Sequence, residues 1–166
     1  MNIITRSIRV VTYGLGTFFN DDLWRDPYRI PYGVPSKPCG GLWACPTNAT
    51  LNWRHFIEND LAFWGSEYRD WTKGFEFNVT GRILVIDGPD DWRAIPLTKT
   101  GEWDFEALIN EGIIAIHLTH GGVIESKHVR VNTIDWDIAP KEWDVESVLV
   151  LNKNSISNVT PVRWDE

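Results

Sequence analysis

The chain has 166 residues, enough for one domain to bury a core without disulfide or metal staples. Apolar residues at 43% and charged residues at 23% are ordinary for a globular protein, and no run approaches the roughly 18 apolar residues of a membrane-spanning helix. A net charge of −7 works against general affinity for nucleic-acid phosphate, which needs Lys and Arg to neutralise the backbone.

"NIITRSIRVVTYG" is rich in β-branched residues and predicts a first strand ending near Gly14 and Gly16. Arg6 and Arg9 interrupt its apolar pattern, so no secretory signal is expected, and the expected location is cytoplasmic with no membrane partner. Residues 20–40 are proline-rich and without period, a long loop expected to act as a lid or binding loop. "GLWA" reads as a short buried strand. From Thr47, with Thr or Asn as N-cap, the spacing of Trp53, Phe56, Ile57 and Leu61 predicts an amphipathic helix to about Phe63.

"FEFNVTG" and "RILVID" read as strands on either side of Gly81, followed by a turn at "GPDD". "DFEALINEG" predicts a short helix capped by Asp104 and ended by Gly112, and "IIAIHLT" a buried strand. Gly121 and Gly122 read as a turn, and "ESVLVLN" and "VTPVRW" as the closing strands. Strands outnumber helices without regular alternation, which argues for an α+β class over a doubly wound parallel sheet.

Several chemical readings fail on spacing. "GLGTFF" lacks the third glycine and the helix that a dinucleotide fingerprint requires. His117 and His120 form an H-x-x-H pair with no third ligand at useful spacing, and Cys39 and Cys45 read as two small buried hydrophobes, so no metal is assigned. The acidic pairs Asp21–Asp22 and Asp90–Asp91 fall in turns, where Asp bonds its own backbone. Ten tryptophans are the compositional oddity; Trp24, Trp64 and Trp71 stand in polar surroundings suited to lining a groove, which would also fit a carbohydrate-binding surface.

Three stretches, taken in order, resemble the ADP-ribosyltransferase superfamily, in the pattern of its poly(ADP-ribose) polymerase branch and of short phage-borne relatives bearing K-P-x-G-L-W-x-S. "VTYG" ends the first strand where that branch has His-Gly. "GGLWAC" places Trp43 at a Tyr position, and the next helix presents Trp53 where a further Tyr is usual. "WDVESVLVLN" sets Glu146 at the catalytic Glu position ahead of its strand. "DFEALINEGIIAIHLTHGG" is similar to a helix-and-strand segment of the phage-borne relatives. The departures are Tyr13 for His, Cys45 for Ser, and no sure counterpart for the Arg of an Arg-Ser-Glu set, for which Arg9 is the candidate.

The resemblance implies one domain over residues 1–166, with split β-sheets and a few short helices. It implies an NAD-dependent transfer of ADP-ribose to a macromolecular acceptor, protein favoured over nucleic acid, or hydrolysis of NAD. Glu146 would be catalytic, and Tyr13, Gly14, Trp43, Thr50, Trp53 and Arg9 would hold NAD in one cleft, with the Asn20–Cys39 loop as its cover. The alternative is a catalytically silent module of the same type that binds a partner protein or a nucleotide.

Overall fold

The computed structural model describes residues 1–28, 38–50, 52–59, 70–130, 135 and 138–163. Helix and strand are mixed, and the strands dominate. Among the described residues, six strands lie in chain order at Asn2–Tyr13 (β1), Leu42–Pro46 (β2), Lys73–Ile86 (β3), Ile113–Leu118 (β4), Ser147–Val150 (β5) and Ile156–Arg163 (β6). The described helices among them are Trp53–Asn59 (α1), Pro89–Arg93 (α2), Phe105–Asn110 (α3) and His120–Lys127 (α4). None of the described helices is long and apolar enough to cross a membrane.

The sheet order is β1-β2-β5-β4-β3-β6, and β3 pairs back onto β1, so five strands close into a barrel with β6 attached outside the ring. β1 and β3 run antiparallel from Asn2↔Val85 to Tyr13↔Gly74. The other edge of β3 is shared: β4 takes Arg82–Ile86 in parallel, and β6 takes Lys73–Val79 in antiparallel. A parallel neighbour needs a long crossover, and the segment holding α2 and α3 supplies it.

Strand pleating sends alternate side chains to two cores. Val10, Ala44, Phe75, Phe77, Ile83, Ala115 and Val148 converge from all five strands of the ring into its interior. On the outer face Leu84, Ile86, Ile116, Leu118 and Leu149 are covered by Trp92 of α2, Phe105 and Leu108 of α3, Val123 of α4, and Trp143.

Three local expectations are corrected. "FEFNVTG" and "RILVID" form one continuous strand, because β1 is long enough to pair with both and Gly81 simply sits opposite Arg6. Gly121 and Gly122 lie inside the first turn of α4, not in a turn between strands: the Thr119 hydroxyl caps the helix by accepting the Gly122 N–H at 3.2 Å. A Cβ on Gly122 would stand 2.3 Å from the Ile86 carbonyl oxygen, so only glycine lets the helix start this close to the end of β3. "GPDD" opens α2, with Pro89 in its first turn, where a missing N–H costs nothing.

α1 begins later than Thr47. The Thr47 N–H is taken by the Arg9 carbonyl at 3.1 Å, which prolongs the β1–β2 ladder, and Asn52 caps the helix by accepting the His55 N–H at 3.0 Å. The expected helix end near Phe63 lies outside the described residues, as does Trp64. Of the expected lid, Trp24 packs on the interior core, Asp21–Leu23 forms a 3-10 turn and Tyr28 bridges Cys39; residues 29–37 lie outside the described residues.

Candidate functional site

β5 runs antiparallel to β4, with His117 opposite Val148 and Leu118 opposite Ser147. Alternation puts His117 on the same face as Ala115, and Glu146, two residues before Val148, comes to that face just ahead of β5. There His117 Nε2 and Glu146 Oε1 lie 2.8 Å apart, and the two side chains are only 8% and 15% exposed. From β1, where Arg6 shares the inward face with Ile4 and Ile8, an Arg6 Nη2 reaches His117 Nδ1 at 2.6 Å.

The hydrogen-bonding inventory of these groups fixes the protons. A guanidinium only donates, so Nδ1 of His117 accepts; the ring hydrogen is then on Nε2, which donates to Glu146. Arg6, neutral His117 and Glu146 thus form one directional chain from a cation to a carboxylate. Both imidazole nitrogens are engaged, which leaves His117 no free nitrogen to act as a general base. Among the described residues no hydrogen bond uses the other oxygen of Glu146.

The thiol of Cys45 belongs to the same neighbourhood. Burial pushes its pKa up to about 11, the Trp53 amide that bonds its sulfur at 3.4 Å works the other way, and the nearby Glu146 carboxylate adds to the rise. Cys45 is therefore a protonated, unreactive thiol that links α1 to the carboxylate end of the barrel.

Of the residues expected to bind NAD, the structure brings only some near Glu146. The Trp53 backbone N–H bonds the sulfur of Cys45, which lies near Glu146. Trp43, on the β2 face opposite Ala44, packs edge-on against Trp143 with ring centroids 4.6 Å apart. Gly14 carries φ +78, and a Cβ there would stand 2.6 Å from the Trp71 ring, so the close approach permitted by this glycine is made by Trp71. Tyr13 lies near Arg54 of α1, and Thr50 is exposed in the β2–α1 connection.

Arg9 is held on the outer face by Glu76 at 3.3 Å, by the Asn78 side chain, the Asn158 carbonyl and the Thr160 hydroxyl. It is Arg6, three residues earlier and on the opposite face, that connects to Glu146. Sequence reading missed Arg6 and His117 as site residues. Their signal was a charged or ionisable residue at a core-facing step of an alternating strand: Arg6 in "ITRSI" and His117 in "AIHL".

Compared with protein-family models, with curated proteins and with solved structures, the chain has no match.

Proposed function

We propose that the chain is an NAD-dependent enzyme of the ADP-ribosyltransferase type, which passes ADP-ribose to a macromolecular acceptor, a protein in preference to a nucleic acid, or to water. The observation that carries the reading is Glu146: a nearly buried carboxylate at the start of β5, fixed at one oxygen by His117, with the other oxygen unpartnered among the described residues. The neighbourhood of β1, β2 and β5 adds support, because the three strands that bear the resembling motifs lie side by side in the ring.

Cleavage of the nicotinamide–ribose bond develops oxocarbenium-like charge on the sugar. A carboxylate beside the ribose stabilises that charge and accepts a hydrogen bond from a sugar hydroxyl. Glu146 offers a carboxylate whose second oxygen has no partner among the described residues. The split-sheet arrangement of the family is part of the proposal, with the neighbouring strands β1, β2 and β5 of the ring as its counterpart here.

A second reading, a silent module that binds a protein or nucleotide, is favoured by two packing facts. Trp43 is spent on Trp143, and the space over Gly14 is filled by Trp71. Calorimetric titration with NAD, together with nicotinamide release in the presence of cell lysate as a source of acceptors, separates the two. Binding with release supports the enzyme. Neither binding nor release removes the NAD reading, and binding without release leaves the module.

A further inference from the structure

The interior of a small β-barrel is an expensive place for a guanidinium and a carboxylate, since each loses hydration that only good partners replace. Here the two charges do not touch. An imidazole stands between them, and because Arg6 can only donate and an ionised Glu146 can only accept, that imidazole must be neutral and carry its hydrogen on Nε2. The geometry points to Arg6 and His117 as positioning residues that fix one oxygen of Glu146 and leave the second for the ligand, an arrangement that exists only while His117 is neutral. The inference rests on the reading that Glu146 acts on bound NAD.

Protonation of His117 would set a ring N–H against the Arg6 N–H at a separation of 2.6 Å, so the two groups must part. Glu146 would keep a charged imidazolium partner but lose the guanidinium behind it. Among the described residues the ionisable surroundings are few: Arg6 comes from β1, Glu146 from the residue ahead of β5, and Cys45 of β2 lies near Glu146, while the residues paired with His117 on either side, Val85 of β3 and Val148 of β5, are apolar. Of the groups in this chain that acid can protonate, the imidazole and the carboxylate, only the imidazole would be set against Arg6 by gaining a proton.

Glutamine can replace the imidazole without its titration. Its carbonyl oxygen accepts from Arg6 and its amide N–H donates to Glu146, so His117→Gln preserves both bonds, whereas His117→Ala removes both. The experiment has two readouts on the full chain. Heteronuclear NMR of the imidazole nitrogens reports the His117 tautomer directly, in wild type and in Arg6→Met. Nicotinamide release from NAD is followed for wild type, His117→Gln, His117→Ala and Arg6→Met from about pH 8 to about pH 5, the range in which an imidazole ordinarily charges.

The expected tautomer is Nε2–H in wild type, with its preference weakened in Arg6→Met. Turnover should fall roughly tenfold or more in His117→Ala and Arg6→Met, recover in His117→Gln, and lose its acid limb in His117→Gln alone. An Nδ1–H tautomer in wild type, or a His117→Gln profile that falls with acid as the wild type does, overturns the inference. Absence of turnover in every protein would sink the NAD reading instead, and the tautomer measurement would still decide whether Arg6 orders the ring.

Discussion

The Trp53 N–H donates to the Cys45 sulfur across 3.4 Å, so the first turn of α1 is pinned to the end of β2 by a thiol that never meets solvent. Partly buried Cys39 should react first with a thiol reagent, and Cys45 should be labelled only on unfolding. Mass spectrometry after brief iodoacetamide treatment, with and without denaturant, checks this. The sign of the pH dependence follows from the raised pKa: the unfolded thiol ionises from about 9.0 and the folded one only near 11. The contribution of Cys45 is complete below that window and is lost as the pH rises through it, on the order of 2 kcal/mol. Cys45→Ala should flatten the alkaline fall of the urea midpoint; an unchanged slope would contradict the assignment.

Trp43 is a packing residue in this fold. Its ring meets Trp143, whose own ring lies 6.1 Å from that of Trp103 in the outer core. Trp43→Ala should cost about 2–4 kcal/mol of stability, within the range for truncating an aromatic side chain that is largely covered. Trp43→Phe should restore much of it. If Trp43 instead served as a stacking surface for nicotinamide, both variants would leave stability alone and weaken NAD binding, which calorimetry beside urea unfolding distinguishes.

Gly14 makes a similar separation. With φ +78 and a virtual Cβ 2.6 Å from the Trp71 ring, Gly14→Ala meets both backbone strain and a steric clash. A stability loss of about 1–3 kcal/mol is expected, and Trp71 fluorescence should change with it. A Gly14→Ala protein as stable as wild type but weaker for NAD would return this glycine to a ligand-contact role.

Strand positions were legible because "ITRSIRVV", "ILVI", "IIAI" and "SVLV" carry β-branched runs that the ladder needs. What could not be read was which edges would join. Closure of the ring depends on β1 pairing with β3, residues some 70 apart, and no local pattern encodes that partner. The helix starting at His120 was hidden because two adjacent glycines signal a turn; their use here is to let a helix touch the Ile86 carbonyl, a tertiary reason. At the candidate site, Glu146 was singled out only through the resemblance of "WDVESVLVLN" to the family motif, because a carboxylate ahead of a strand is unremarkable by itself. Arg6 and His117 were not, because each is unusual only once the inward face of its strand is known, and Arg9, the more obvious candidate, turned to the polar outer face.

The strongest test of the chemistry is Glu146→Gln. The amide keeps the shape of the carboxylate, and its oxygen can still accept from His117 Nε2, so the barrel should fold with little change in stability. It carries no charge, however, and the field that a carboxylate offers to a developing oxocarbenium disappears. Losing one preorganised electrostatic contribution of about 3 kcal/mol predicts a fall of roughly 100-fold or more in nicotinamide release. NAD affinity should change far less, because the positive charge on the sugar exists mainly in the transition state and the ground state does not draw on it. Nicotinamide release and NAD titration run side by side on both proteins measure the two quantities separately. Equal turnover in wild type and Glu146→Gln would remove the carboxylate from the chemistry, and a parallel loss of binding and turnover would make Glu146 a ligand anchor, not a transition-state group.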